Sequence, residues 1–266
     1  MTRIVQMTDT HLFGDRARDL MGVKTNESFE AVVQLLLSDA KKNQPDLILL
    51  TGDLTQDHSP ESYEHLVDVM KAFSVPIYFI PGNHDDISVM NEVFAKSDFK
   101  KEKNILWDSW QCILLNSHKT HHPEGFLEQT ELDFLEACLA KHHEKRAMIV
   151  THHHSVPVDC SWLDKINLTN ADAFWSVLSR YSNVSMVLSG HVHQEYAGEY
   201  NGVQCYSTPS TCVQFKRHST AFSLEELAPG YRWIELHSDG RIETGVKRLE
   251  KYVGDFNAQA GGRYAD

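Results

Sequence analysis

The chain has no run of about 18 apolar residues, the length needed to cross a bilayer as a helix. Its first residues, MTRIVQMTDTH, reach polar and acidic side chains at once and form no hydrophobic signal region, so a cytoplasmic protein without a membrane role is expected. Basic residues are in short supply: 25 Lys and Arg stand against 37 Asp and Glu, a net charge of −12. That balance argues against a nucleic-acid partner, whose backbone requires basic surface. It does not argue against a small anionic substrate, because bound cations invert the local field of an acidic site. Cysteines are also few. Cys112, Cys138, Cys160, Cys205 and Cys212 make an odd set with no C-x-x-C spacing, which excludes a zinc finger and reads as reduced thiols. No internal repeat or low-complexity linker divides the chain.

What is present is an ordinary globular composition, 41% hydrophobic and 23% charged over 266 residues, enough to bury a substantial core. TRIVQMT (2–8), DLILLTGD (46–53), VPIYFIPGNHDD (75–86), WQCILLNS (110–117), AMIVTHHH (147–154) and VSMVLSGH (184–191) are short apolar runs with strand character. Helical periodicity marks 27–42, 130–142 and a segment near 170–181. Ser59 and Pro60 are an N-cap and first helical position for a helix ending near Phe73. After residue 200 the segments VQCYSTPST, TAFSLEEL, YRWIELHSDG and RIETGVKRL look β-like, with Asp239-Gly240 as a hairpin turn. The pattern predicts one α/β domain over 1–250, followed by a loose tail over 251–266.

The acids and histidines concentrate where apolar runs end. Asp9 and His11 follow the first, Asp53 the second, Asn83, His84 and Asp85 the third. His152, His153 and His154 follow a later run, and His191 and His193 the last of the set. In open α/β sheets ligands bind beyond the strand ends, where loops from several strands converge. Carboxylate oxygen and imidazole nitrogen suit zinc, manganese or iron(II). Two such ions about 3.5–4 Å apart clamp the oxygens of a phosphoryl group.

Each piece has an ordinary reading as well. Asp9-Thr10-His11 alone is a common strand-end sequence, Gly52-Asp53 a common turn, and Asn83 suits a left-handed turn position. Asp57 and Asp85 look like surface or capping residues. His58, His118, His121, His122, His142 and His143 lie in polar surroundings and read as exposed. Arg16, Arg18 and Lys24 are as consistent with a solvated basic loop as with one covering the site, and Trp162 is better read as a buried aromatic than as a base-stacking ring.

The ordered set D-x-H (9–11), GD (52–53), GNHD (82–85), HH (152–153) and GHVH (190–193) resembles the calcineurin-like metallophosphoesterases. LFGDRARDLMGVKTNESF (12–29), CSWLDKINLTNAD (160–172), TPSTCVQF (208–215) and APGYRWIELHSDG (228–240) are similar to the bacterial class III cyclic AMP phosphodiesterases of that superfamily. The resemblance covers most of the chain through about residue 250. It implies a four-layer α/β/β/α sandwich with two mixed sheets. It also implies two divalent cations, Fe2+ or Mn2+ with Zn2+ as an alternative.

The resemblance further implies that Asp9, His11, Asp53 and His193 hold one metal, and Asp53, Asn83, His153 and His191 the other. Within the histidine triplet the family spacing to His191 favours His153 and leaves the roles of His152 and His154 open. His84 is implied to face the phosphate and assist the leaving oxygen, with Asn83 beside it in catalysis. His11, Asp53, Asn83, His84 and His193 are implied to contact the substrate. The implied reaction is hydrolysis of 3',5'-cyclic AMP to 5'-AMP by a hydroxide that the two metals activate. A broader phosphodiesterase or phosphomonoesterase uses the same motifs, and a non-catalytic scaffold of the same fold is the remaining alternative.

Overall fold

The computed structural model describes residues 1–257. Its first half runs β1 (Thr2–Met7), α1 (Thr25–Ala40), β2 (Leu47–Thr51), α2 (Pro60–Met70), β3 (Ile77–Ile80) and α3 (Ile87–Phe94). It continues with β4 (Asn104–Leu106), β5 (Trp110–Leu114), α4 (Gln129–Lys141), β6 (Arg146–Val150), α5 (Ala171–Leu178) and β7 (Val184–Ser189). The last part is strand-rich: β8 (Tyr196–Tyr200), β9 (Val203–Ser207), β10 (Gln214–Phe215), β11 (Leu224–Glu225), β12 (Gly230–Leu236) and β13 (Ile242–Arg248).

Two mixed sheets result. One has the order β13-β12-β1-β2-β3 and the other β4-β5-β6-β7-β9-β8, with β10 and β11 paired separately. Within them β1, β2 and β3 are mutually parallel, as are β5, β6, β7 and β9. The apolar runs look continuous in sequence because both faces of these strands are covered. Leu47 and Leu49 face the opposite sheet, whereas Ile48 and Leu50 face α1 and α2. Met148 and Val150 likewise point into the space between the sheets, and Ala147 and Ile149 toward α4 and α5. Three apolar layers thus separate helices, sheet, sheet and helices, the expected four-layer sandwich.

Local chemistry explains most boundaries. Ser59 caps α2 by accepting the Ser62 N–H, with Pro60 in the first turn. Asp86 caps α3 by accepting from the Ser88 and Val89 amides, a helix that the sequence reading did not anticipate. The turn at Asp239-Gly240 joins β12 to β13 with Gly240 at φ +96°. TAFSLEEL forms only the two-residue strand β11.

The segment expected to be loose begins with docked residues. Lys24 N–H donates to the Val253 carbonyl, Val23 and Gly254 form a bridge, and Asn257 N–H donates to the Met21 carbonyl. Tyr252 and Phe256 stack at 4.5 Å against the cluster of Phe13, Leu20, Val23 and Phe215. These contacts run from 252 to 257; the rest of the expected tail, 258–266, lies outside the described residues.

Candidate dinuclear metal centre

Five parallel strands deliver the polar groups to one end of the sandwich: β1, β2 and β3 from one sheet, β6 and β7 from the other. Beyond β1 and β2 the chain stays paired. Asp9 N–H donates to Gly52, His11 N–H to Asp53 and Leu12 N–H to Leu54, all carbonyls, at 2.9, 2.9 and 3.1 Å. Bonds across the sheets close the site. The Asp9 carboxylate accepts the His191 amide at 3.0–3.1 Å, and His152 Nδ1 donates to the Thr51 carbonyl at 2.8 Å.

The backbone there is unusual. Asp9, His11, Asp53, His191 and His193 all have positive φ, between 45° and 67°. Such conformations cost non-glycine residues of order 1–3 kcal/mol each and persist only where surrounding bonds over-determine them. Gly52 also has positive φ, and an added Cβ there would strike His152 Nδ1; at Gly82 it would strike Asp53 Oδ1.

Two buried groups of ligand-type atoms meet at Asp53. Asp9, His11, Asp53 and His193 bring one atom each within 4.8 Å of one another, as do His152, His153 and His191. In the first group His193 Nε2 is 3.3 Å from Asp9 Oδ1, and His11 Nε2 is 3.8 Å from Asp53 Oδ2. In the second, His152 Nε2 is 3.3 Å from both Asp53 Oδ1 and Asn83 Oδ1. Asp53 therefore turns one carboxylate oxygen toward each group. The His84 amide donates to Asp53 Oδ1 at 2.8 Å, and its ring meets His11 edge-on at 5.0 Å.

The triplet divides differently from the sequence expectation. His152, whose role is open there, is the ring that touches Asp53 and Asn83. His153 is near His191, but Ser117 Oγ engages its Nδ1 at 2.8 Å and the Pro123 carbonyl its Nε2 at 3.2 Å. Those two contacts engage both nitrogens of His153, whereas His152 faces Asp53 and Asn83. His154 is buried, stacks on His191 and lies 3.4 Å from Asp164.

The electrostatics favour cations. Burial raises the Asp9 and Asp53 carboxyls, but the histidines beside them, His193 for Asp9 and His152 for Asp53, outweigh it and hold both below the usual carboxylate range. Burial lowers His152, but the charge and hydrogen bond of Asp53, with Asp9 and the Thr51 carbonyl, together raise it to about 9. Burial pushes His11 down to about 3 and holds His84, His153 and His191 below the usual imidazole value. Buried imidazoles thus face buried carboxylates. Both ring nitrogens of His191 lack a hydrogen-bond partner, and His11 Nε2 and His193 Nε2 point at each other across 3.1 Å. Metal cations would satisfy those lone pairs and charges together, so the donor set fits a dinuclear centre.

Other candidates fall outside the two groups. Asp85 is not a surface residue: it is buried and accepts from the Leu54 and Gly82 amides and the Tyr63 hydroxyl, tying the loops after β2 and β3. Asp57 holds the Gly14 amide and caps its own turn at Ser59. Arg16 pairs with Glu30, Lys24 with Glu27, and Arg18 lies over the Phe13 ring. Trp162 packs edge-on against Phe215 and Phe222, as the packing alternative expects. His58, His121, His122 and His143 are exposed, whereas His118 and His142 are half-buried.

A two-sheet sandwich carrying paired Asp/His clusters at its strand ends defines the dimetal phosphoesterase class. The chain matches the family described as calcineurin-like phosphoesterase over residues 2–195 and belongs to it. It is 43% identical over 250 residues to the 3',5'-cyclic adenosine monophosphate phosphodiesterase CpdA of Haemophilus influenzae, covering 94% of this chain and 90% of that one. The Escherichia coli K12 protein of the same name is 40% identical over 248 residues, covering 93% and 90%. Among solved structures, a dimetal phosphatase from Danio rerio superposes with a TM-score of 0.63 at 15% identity, covering 96% of this chain and 99% of that one. That last likeness shows the fold alone. Among the described residues no helix is long and apolar enough to cross a membrane.

Proposed function

We propose that the protein is a metal-dependent phosphodiesterase that hydrolyses 3',5'-cyclic AMP to 5'-AMP and so lowers cyclic AMP signalling. The observation that carries this reading is the division of Asp53 between two ligand groups, on a chain that aligns along nearly its whole length with cyclic AMP phosphodiesterases. Asp9, His11, Asp53 and His193 would hold one cation. Asp53, Asn83, His152 and His191 would hold the other, with His153 buttressing His191 from Ser117 and Pro123. Nitrogen and oxygen donors without thiolate suit Fe2+ and Mn2+, and also Zn2+.

When bound, the two cations supply a lowered pKa for water and a counter-charge for the phosphoryl oxygens. The chain's own residues do the rest. Asn83 and His84 sit on the turn after β3: the His84 amide is fixed on Asp53, and Asn83 Oδ1 lies 3.3 Å from the His152 nitrogen that also meets Asp53. Burial holds the His84 ring below the usual imidazole value, so near pH 7 its N–H can hydrogen-bond to the 3' oxygen as the P–O3' bond breaks, and the departing oxygen takes its proton from water. His11, Asp53 and His193 form the floor beneath the phosphate. The five unpaired, buried thiols support a cytoplasmic setting.

The test is a substrate panel with defined Mn2+ or Fe2+ loading: 3',5'-cyclic AMP, 3',5'-cyclic GMP, 2',3'-cyclic AMP, a phosphomonoester and an aryl phosphodiester. We expect the highest kcat/KM on 3',5'-cyclic AMP. A higher value on the aryl phosphodiester at low substrate would replace this reading with a broad-specificity phosphodiesterase.

A further inference from the structure

Three histidines of the site show how their outer ring nitrogens are held. His152 Nδ1 donates to the Thr51 carbonyl at 2.8 Å and His193 Nδ1 to the Val213 carbonyl at 2.9 Å. His11 Nδ1 meets Gln56 Oε1 at 2.7 Å. Of these three anchors only Gln56 is a side chain, so it is the one that a substitution can change.

The placement of Gln56 is built into the backbone. After β1 and β2 the two chains zip together through a parallel bridge between Leu12 and Thr55, and Gln56 N–H donates to the Leu12 carbonyl at 2.8 Å. One step further, the Gly14 amide donates to Asp57 at 2.9 Å. His11 and Gln56 are therefore held side by side across this ladder. His11 also carries a left-handed φ of 45°, so its ring direction needs an external hold.

We propose that Gln56 is a positioning residue that sets both the tautomer and the electron donation of His11. An amide oxygen accepts a proton only from Nδ1–H. That bond leaves the Nε2 lone pair facing inward, toward His193 Nε2 at 3.1 Å and Asp53 Oδ2 at 3.8 Å. The opposite tautomer would place a proton on Nε2 and remove it as a ligand. The partner's charge matters separately. A carboxylate in this position makes an imidazole ligand more basic than a neutral oxygen does. All three outer partners here are neutral, and two aspartates already sit in the first group. The design keeps donation to the first cation modest, which keeps that cation acidic toward water.

This rests on the reading of His11 as a ligand of the first cation. Titration of the metal-free protein with Mn2+, followed by calorimetry and electron paramagnetic resonance, tests both. Wild type should take up two equivalents; uptake of none or one would overturn the site reading itself. With wild type at two, Gln56→Ala should weaken one of the two equivalents by about 10–100-fold, the range for loss of a ligand's outer partner. Gln56→Glu should keep wild-type or tighter affinity and move the acidic limb of the kcat–pH profile to higher pH. Wild-type affinity in Gln56→Ala would overturn the proposal. So would a Gln56→Glu protein as weak as Gln56→Ala, or one with an unmoved pH profile. Near-ultraviolet circular dichroism of all three metal-free proteins establishes that the comparison is made on folded chains.

Discussion

The space between the two sheets and the strand-end site lie within one sandwich but follow opposite rules. Between the sheets, Ile4, Leu49, Met148, Met186 and Leu188 sit on extended strands with nothing exposed or nearly so, and every local preference agrees with the packing. At the candidate site, five residues adopt left-handed backbone, and carboxylates and imidazoles are buried. The first region gains free energy from burial; the second consumes part of it to hold ligands where water would otherwise relax them. Stability and activity should therefore respond to different substitutions.

The sharpest separation comes from His84→Ala. Turnover should fall about 10²–10³-fold, the usual cost of removing a hydrogen-bond donor from a developing oxyanion, while metal uptake measured by atomic absorption stays at two equivalents. Leu188→Ala should do the reverse. A buried leucine cut to alanine costs about 2–5 kcal/mol in urea unfolding, and kcat of the folded fraction should hold. His152→Ala and His153→Ala sharpen the contrast inside the site. His152→Ala should abolish binding of the second cation by calorimetry, whereas His153→Ala should weaken it about 10–100-fold as an outer partner does. Equal losses from the two variants would return His153 to the ligand set. The smallest effect lies at the start of α2: Ser59→Ala should cost about 1 kcal/mol of stability through the lost cap, with little change in turnover.

Much of this comparison is legible in the chain. Period-two and continuous apolar runs mark the central strands, Ser59-Pro60 marks a helix start, and the clustering of Asp, Asn and His after those runs marks the site. What stays hidden depends on contacts between distant segments. His152, His153 and His154 are chemically identical in sequence, and only the approach of Asn83 and the Ser117–Pro123 segment distinguishes them. Asp85 looks like an exposed acid until Tyr63 and the Leu54 amide reach it. Gln56 carries no signal beyond its place after Asp53. Helix α3 has a readable cap in Asp86 followed by Ser88, but its eight residues are too few to show a strong helical period.

The docked residues 252–257 bear on how the protein is handled. A clone trimmed at Arg248 or Leu249, where the last strand ends, would strip the stacked Tyr252 and Phe256 from the cluster that includes Phe13 and Phe215. Phe215 is itself stacked on His193 at 4.1 Å. A shortened chain would thus expose a greasy surface one aromatic ring away from His193 and the proposed metal site. Poor solubility and weak metal loading would then arrive together in such a preparation, and a fusion partner is better attached beyond residue 257 than before 252.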